Sequence, residues 1–292
     1  MTANDTTNRA RPRKQGGRGA RRPGAEPGGR VLRLLQITDT HLYADPAGHL
    51  LGQNTRQTLE LVLELALRSR WPVDRLLLTG DLVHDEGEDG YRYLRERIAR
   101  LDVPCNGLPG NHDAPRVMGE ILGESGAIST APSVRCGAWS LVFLDSTVPS
   151  QDGGRLGKTQ LGLLRSALAA HPEAHTLVCL HHQPVPVGSV WIDTMALSNP
   201  EDFFGILDDN PQVRGVIWGH VHQAFHAERN GVALLGSPST CVQFRPGSEA
   251  FAVDALTPGF RWLDLHPDGR IETGIERIAC YPAPMDLSTG GY

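Results

Sequence analysis

A chain of 292 residues, 40% apolar and 21% charged, is long enough for one large domain with a full core and ordinary for a soluble globular protein. No run reaches ~18 to 20 consecutive apolar residues, which excludes a membrane-spanning helix, and five scattered cysteines (Cys105, Cys136, Cys179, Cys241, Cys280) without a CxxC pair fit reduced cytosolic thiols rather than a disulfide framework or zinc knuckle. The formal charge of -5 hides eight Lys or Arg in the first thirty residues; the remaining body carries 20 basic against 31 acidic residues and is a poor nucleic-acid binder unless metal ions or a local patch reverse its field.

Residues 1–30, rich in Arg, Gly and Pro, have too few large apolar side chains to fold and read as a disordered basic tail. Arg21-Arg22 is not followed by the apolar stretch that an export signal needs. The functional alternative to a solvated tail is a basic arm on nucleic acid or acidic lipid, and the solvated tail is the favoured reading.

Apolar saturation over 31–37 predicts a first strand buried on both faces, ending in Thr38-Asp39-Thr40-His41. A loop over 42–52 follows, then helical periodicity over 53–70 that must stop at or before Trp71-Pro72. A strand over 75–79 delivers Asp81 after Gly80. A helix over 91–101 and a strand over 103–108 lead to Pro109-Gly110-Asn111-His112-Asp113. This β-α-β-α-β run predicts a largely parallel sheet with ligands at the carboxyl ends of its strands.

Farther along, a short helix is expected over 115–123, a strand over 139–144 before Asp145-Ser146, and a helix over 159–170. A strand over 176–180 ends in His181-His182. Residues 183–200, with Pro184, Pro186, Gly188 and Pro200 as turn formers, read as a long loop over the site with Trp191 as an apolar contact. A helix over 201–207 precedes a strand over 213–218 that ends in Gly219-His220-Val221-His222. Short strands are expected at 232–235, 250–255, 260–265 and 270–277. Residues 31–280 form one domain on this reading, with a loosely structured tail over 281–292.

Five apolar runs thus end in metal-type ligands: Asp39 and His41, Asp81, Asn111, His181, and His220 with His222. The set is oxygen and imidazole without thiolate, which points to Mn(II), Fe or Zn. Seven side chains are too many for one tetrahedral ion and suit two. Two ions ~3.5–4 Å apart, sharing Asp81, would bind phosphoryl oxygens, acidify a bridging water and offset transition-state charge in phosphoester hydrolysis. Singly, Gly-Asp after a strand is a turn, and a lone His at a strand end is hydrogen-bonded or solvated. That plain reading holds for His49, His84, His171, His175, His226 and His266, whereas joint spacing reverses it for His41, His181, His220 and His222. Asp85 and Asp113 read as structural carboxylates that orient loops or an imidazole. Residues 237–244 read equally as a base pocket or a core strand.

These segments resemble the five-block signature of the calcineurin-like metallophosphoesterases: D-x-H, G-D, G-N-H-D/E, H and G-H-x-H. The resemblance implies an α/β fold, a four-layer αββα sandwich of two mixed β-sheets flanked by helices. It implies that Asp39, His41 and His222 hold one metal, that Asn111, His181 and His220 hold the other, and that Asp81 bridges. His112 would be the catalytic histidine at the leaving oxygen, and His41, Asn111, His112 and His222 would contact substrate. In the block His181-His182-Gln183, His181 directly ends the apolar run and is assigned as ligand, with His182 as the alternative.

Segments 34–42, 51–55, 79–85, 108–113, 180–186, 188–193, 218–223 and 238–244, with the terminal Gly291-Tyr292, further resemble the bacterial class III cyclic-AMP phosphodiesterases. That resemblance covers residue 31 to the end. It implies cytoplasmic hydrolysis of 3′,5′-cyclic AMP to 5′-AMP with two divalent or mixed-valence ions, Fe and/or Mn, with Zn as the alternative. Metal blocks alone do not encode the leaving group. The other readings are therefore a phosphoesterase for 2′,3′-cyclic nucleotides, glycerophosphodiesters or nucleotide pyrophosphates, and, more distantly, a binding protein acting through its basic arm.

Overall fold

Apolar runs without alternation need cover on both faces, and the computed structural model, which describes residues 29–123 and 126–286, shows where that cover comes from. The strands are β1 (Leu32–Ile37), β2 (His49–Leu50), β3 (Gln53–Asn54), β4 (Arg75–Thr79), β5 (Cys105–Leu108), β6 (Ile128–Ser129), β7 (Ser133–Cys136), β8 (Trp139–Phe143), β9 (His175–Cys179), β10 (Val213–Trp218), β11 (Phe225–Arg229), β12 (Val232–Gly236), β13 (Gly259–Leu265) and β14 (Ile271–Arg277). The helices are α1 (Thr55–Ser69), α2 (Glu88–Ala99), α3 (Pro115–Gly123), α4 (Lys158–Ala170), α5 (Val190–Asp193) and α6 (Pro200–Asp208). Most of the basic tail and Gly291-Tyr292 lie outside the described residues.

One six-stranded sheet runs β14-β13-β1-β4-β5-β6 and a second runs β11-β12-β10-β9-β8-β7. The expected parallel unit is there as β1, β4 and β5. Antiparallel β13 and β14 extend it at one edge, and antiparallel β7 and β11 end the second sheet, so both sheets are mixed.

Strand alternation sorts the core into three layers. Leu35 and Ile37 of β1 and Leu76 and Leu78 of β4 pack under α1, α2 and α3 with Leu59, Leu63, Tyr91, Leu94 and Met118. Val178 of β9 and Val216 and Trp218 of β10 pack under α4 and α6 with Leu164, Leu168 and Phe203. The opposite-facing residues Leu34, Leu77, Leu177, Cys179 and Ile217 meet between the sheets. This is the four-layer αββα sandwich. Gln36 is a polar bridge inside it, donating from Nε2 to Thr79 Oγ1 at 2.8 Å and to the Trp218 carbonyl at 3.1 Å.

Local chemistry sets several boundaries. The Asn54 side chain accepts from the Gln57 N–H at 2.9 Å and starts α1 two residues later than periodicity predicts, because Gln53 and Asn54 pair as β3. The strand expected over 250–255 reduces to one bridge, Phe244 to Val253. Residues 237–244 are buried yet irregular: the Thr240 N–H donates to the Thr38 carbonyl and the Phe244 N–H to the His222 carbonyl rather than to a ladder. Among the described residues, no helix is long and apolar enough to cross a membrane.

Candidate metal centre

The carboxyl ends of β1, β4, β5, β9 and β10 lead into loops that meet at one edge of the sandwich. Backbone bonds lash the first two loops together: the Asp39 N–H donates to the Gly80 carbonyl at 3.0 Å and the His41 N–H to the Asp81 carbonyl at 3.0 Å. Asp39, His41, Asp81, His220 and His222 all have left-handed backbones, with φ between 42° and 64°. Such non-glycine strain persists only where surrounding structure over-determines it, and it collects at functional sites. Close approach dictates the glycines here. A Cβ on Gly80 (φ 93°) would strike the His181 imidazole and lie 2.7 Å from the Gly110 nitrogen, while one on Gly110 would strike the Asp81 carboxylate and backbone.

The side chains then converge. Ligand-type atoms of Asp39, His41 and His222 lie within 4.8 Å of one another, as do those of Asp39, Asp81 and His181, and those of His181, His182 and His220. Asp81 Oδ2 is 3.2 Å from His181 Nε2 and 3.7 Å from His41 Nε2, so this carboxylate touches both halves of the cluster. Asp39 Oδ1 lies 3.3 Å from His222 Nε2 and accepts the His220 N–H at 2.9 Å. His181 Nδ1 donates to the Thr79 carbonyl and His222 Nδ1 to the Val242 carbonyl, each at 2.8 Å, which turns both Nε2 atoms inward.

Three buried polar atoms at this locus, Asp39 Oδ2, Asn111 Oδ1 and His220 Nε2, have no hydrogen-bond partner. Leaving one such atom unsatisfied costs about 1–3 kcal/mol. Carboxylate, amide and imidazole donors of this kind suit a borderline or hard divalent cation, so the residues fit a metal centre.

Burial and neighbouring charge compete at these side chains. Burial pushes the Asp81 carboxyl up, but the positive His181 imidazole beside it outweighs burial and holds it well below the usual carboxylate range. Burial likewise lowers His181, and Asp81 reverses this and lifts it to about 9. Burial drives His41 and His220 well below the ordinary imidazole value. It lowers His84 to about 4, helped by the neighbouring His112, and lowers His182 to about 3, helped by His181.

His112 N–H donates to Asp81 Oδ1 at 2.9 Å, and its ring sits edge-on to His41 with centroids 5.0 Å apart. Of the two adjacent histidines, His182 has both nitrogens engaged, Nδ1 with Ser146 Oγ at 2.8 Å and Nε2 with the Asp152 carbonyl at 3.1 Å. His181 instead turns its Nε2 into the cluster, 3.2 Å from Asp81 Oδ2. Asp113 binds the N–H groups of Leu82, Val83 and Gly110 and the Tyr91 hydroxyl, and Asp85 binds those of Ala44 and Gly87, so both orient loops. Asp145 closes a local turn with Thr147.

Two residues that sequence reasoning did not single out stand at the site: His84, read as an ordinary loop histidine, and Phe244, part of the 237–244 stretch read equally as a base pocket or a core strand. His84 stacks on His112 with centroids 4.8 Å apart and 18° between planes, and its Nδ1 lies 3.2 Å from His41 Nδ1. The signal that could have found it is the Leu42–Val83 bridge, which no local pattern announces. Phe244 lies flat on His222, with centroids 4.1 Å apart and 5° between planes. Beside the cluster is a cavity of about 210 Å³, lined by Asn111, His112, His220 and Asp152 on its polar side and by Trp191, Ile192, Met195 and Phe251 on its apolar side.

Comparison with known proteins agrees with this geometry. The family described as calcineurin-like phosphoesterase matches residues 32–224. The chain is similar to the 3′,5′-cyclic adenosine monophosphate phosphodiesterase CpdA of Pseudomonas aeruginosa, 43% identical over 259 residues that span 89% of this chain and 94% of that protein. It is 41% identical to the CpdA of Vibrio vulnificus over 262 residues, 89% of this chain and 95% of that one. In fold it is similar to a dimetal phosphatase from Danio rerio, with a TM-score of 0.57 over 86% of this chain and all of that one at 16% identity.

Proposed function

The chain belongs to the calcineurin-like phosphoesterases, and on that premise we propose that it is a dinuclear-metal phosphodiesterase that hydrolyses 3′,5′-cyclic AMP to 5′-AMP in the cytoplasm. The observation that carries the reading is a juxtaposition. Unpartnered carboxylate, amide and imidazole atoms stand beside a cavity that pairs His112, Asn111 and His220 with the aromatic walls Trp191 and Phe251. Phosphate and a planar nucleoside need these two environments side by side. The names of the relatives, at about this identity over nearly their whole length, support the substrate.

Asp39, His41 and His222 would hold one ion, Asn111, His181 and His220 the other, and Asp81 would bridge them. Fe and/or Mn fit these donors, with Zn as the alternative. Such ions supply positive charge to phosphoryl oxygens and acidify water to near neutral pH. The chain's own residues do the rest. His41 and His222 frame one side of the phosphate, and the Asn111 amide donates to a phosphoryl oxygen as charge grows there. The oxygen of water bonds to phosphorus as the bond to the 3′ oxygen breaks. His112 gives its proton to that departing oxygen, leaving a 5′-phosphate and a free 3′-hydroxyl. Residues 31–280 would carry this chemistry, and the basic tail over 1–30 would be dispensable for it.

The test is turnover of 3′,5′-cyclic AMP by Mn(II)-loaded protein beside 2′,3′-cyclic AMP and bis-p-nitrophenyl phosphate. Release of 5′-AMP at a rate at or above that of the artificial diester is expected. Turnover of the other two alone would keep the metal chemistry and sink the cyclic-AMP assignment.

A further inference from the structure

We propose that His84 is a positioning residue whose Nδ1 fixes which nitrogen of His41 faces the metal centre, while its ring steadies His112. The inference rests on the metal centre proposed above and concerns how this chain keeps one of its ligands in a binding-competent form.

The argument begins with tautomers. A neutral imidazole carries one proton, and a metal needs the lone pair on the other nitrogen. For His181 and His222 the choice is forced, because each Nδ1 faces a backbone carbonyl, which can only accept. At His41 the arrangement differs. Its Nδ1 faces His84 Nδ1 at 3.2 Å, a partner able to donate or accept. On its other side, His41 Nε2 lies 3.2 Å from His222 Nε2, whose lone pair would welcome a proton. Left to that neighbour, His41 would place its proton on Nε2, the atom that points at Asp81 and Asp39.

His84 tips this balance. When its Nδ1 accepts, His41 holds its proton on Nδ1 and turns the lone pair of Nε2 toward a cation. Backbone geometry makes the encounter reproducible: the His41 N–H donates to the Asp81 carbonyl, the Leu42 N–H to the Leu82 carbonyl and the His84 N–H to the Leu42 carbonyl, at 2.9–3.1 Å. Tyr43 packs at a tilt against His84, with ring centroids 4.8 Å apart, and His112 stacks on it. One ring therefore serves a candidate ligand through its edge and the candidate proton donor through its face.

Two substitutions separate these roles. His84→Asn can present an amide oxygen near the place of Nδ1 but has no ring, whereas His84→Phe keeps a ring and has no acceptor. Calorimetric titration of metal-free protein with Mn(II) should show about 10–100-fold weaker binding for His84→Phe. Binding by His84→Asn should stay within about threefold of the parent, and its kcat for cyclic AMP should fall because His112 is no longer stacked. Parent-like Mn(II) binding by His84→Phe, or equal weakening in both variants, would overturn the inference. Circular dichroism checks folding, and should His84→Phe not fold, His84→Leu removes the acceptor in its place. Binding is read without substrate, so a parent that takes up Mn(II) but leaves cyclic AMP intact would refute the proposed activity and not this role.

Discussion

Gly110→Ala adds a single methyl group where the site has no room for one. The new Cβ would fall 2.7 Å from His181 Cε1 and still closer to Asp81 Oδ1 and the Asp81 backbone nitrogen. A side-chain tip could rotate away, but the Asp81 nitrogen belongs to the loop that β4 delivers, and Gly110 itself is tied to Asp113 Oδ2 by its N–H at 2.9 Å. Relief must come from parting the two loops by roughly 0.5–1 Å, and overpacking of this kind costs about 1–3 kcal/mol. For a domain of this size that lowers Tm by about 2–10 °C. Function should suffer more, since a misplacement of about 1 Å costs on the order of 10²-fold in rate. Thermal unfolding and kcat/KM for cyclic AMP on Mn(II)-loaded protein read both quantities. A variant with kcat/KM within threefold of the parent would show that Asp81 and Asn111 need not be held at this spacing.

Replacing the candidate bridging carboxylate and the candidate proton donor should have unlike effects. Asp81→Ala should bind neither ion, by elemental analysis, and lose nearly all turnover. His112→Ala should keep its metal yet lose ~10²–10⁴-fold in kcat for cyclic AMP, and less for a p-nitrophenolate leaving group that needs no proton; metal loss in this variant would mean the role is misassigned. With His181 lifted to about 9 beside Asp81, a cation must displace its proton, so apparent Mn(II) affinity should climb with pH up to about 9 and flatten above it. In the metal-free protein the same pair stabilises the fold fully below the unfolded imidazole value of about 6.5, and that contribution fades as pH rises through 9; a Tm of the metal-free protein independent of pH across this window would refute the pairing. Burial pushes the Cys241 thiol up to about 12 and raises Cys105 and Cys179 as well, whereas Cys280 is exposed and Cys136 half-buried. A thiol reagent at pH 8 should therefore modify two of the five in native protein and all five in denaturant, and a third native modification would contradict the burial.

The parts of the fold that the sequence announced are those whose cause is local. Arg75–Thr79 and Val213–Trp218 are apolar runs stopped by glycine, and they are strands over those same residues because each is covered by helices on one face and by the other sheet on the second. Their ends carry Asp81 and His220 into the candidate site by covalent continuity, which is why the convergence of these blocks was readable. The edge strands Ser133–Cys136 and Phe225–Arg229 escaped notice because half their residues are polar and solvent-facing, and only pairing with β8 and β12 makes them strands. Phe251 and Val253 alternate as a strand should, but the chain opposite is the irregular segment around Phe244, so one bridge is all that forms.

What the sequence hid about the site has a different cause. A ligand can be recognised by what it is; its supports are recognised only by where they are. His84 is one more histidine in a loop until the Leu42–Val83 bridge sets it against His41, and Phe244 is one more core aromatic until it lies on His222. The left-handed backbones of Asp39, His41, Asp81, His220 and His222 leave no mark either, since aspartate and histidine carry no glycine-like signal for positive φ. Holding five such residues at roughly 1–3 kcal/mol each demands compensation from the surrounding loops. Hydrogen bonds between loops from different strands supply part of it, from Asp39 to Gly80, from His41 to Asp81 and from His220 to Asp39. Such strain would be removed by relaxing any one loop, so its persistence across all of them is a property of the assembled edge and not of any segment that a sequence window can see.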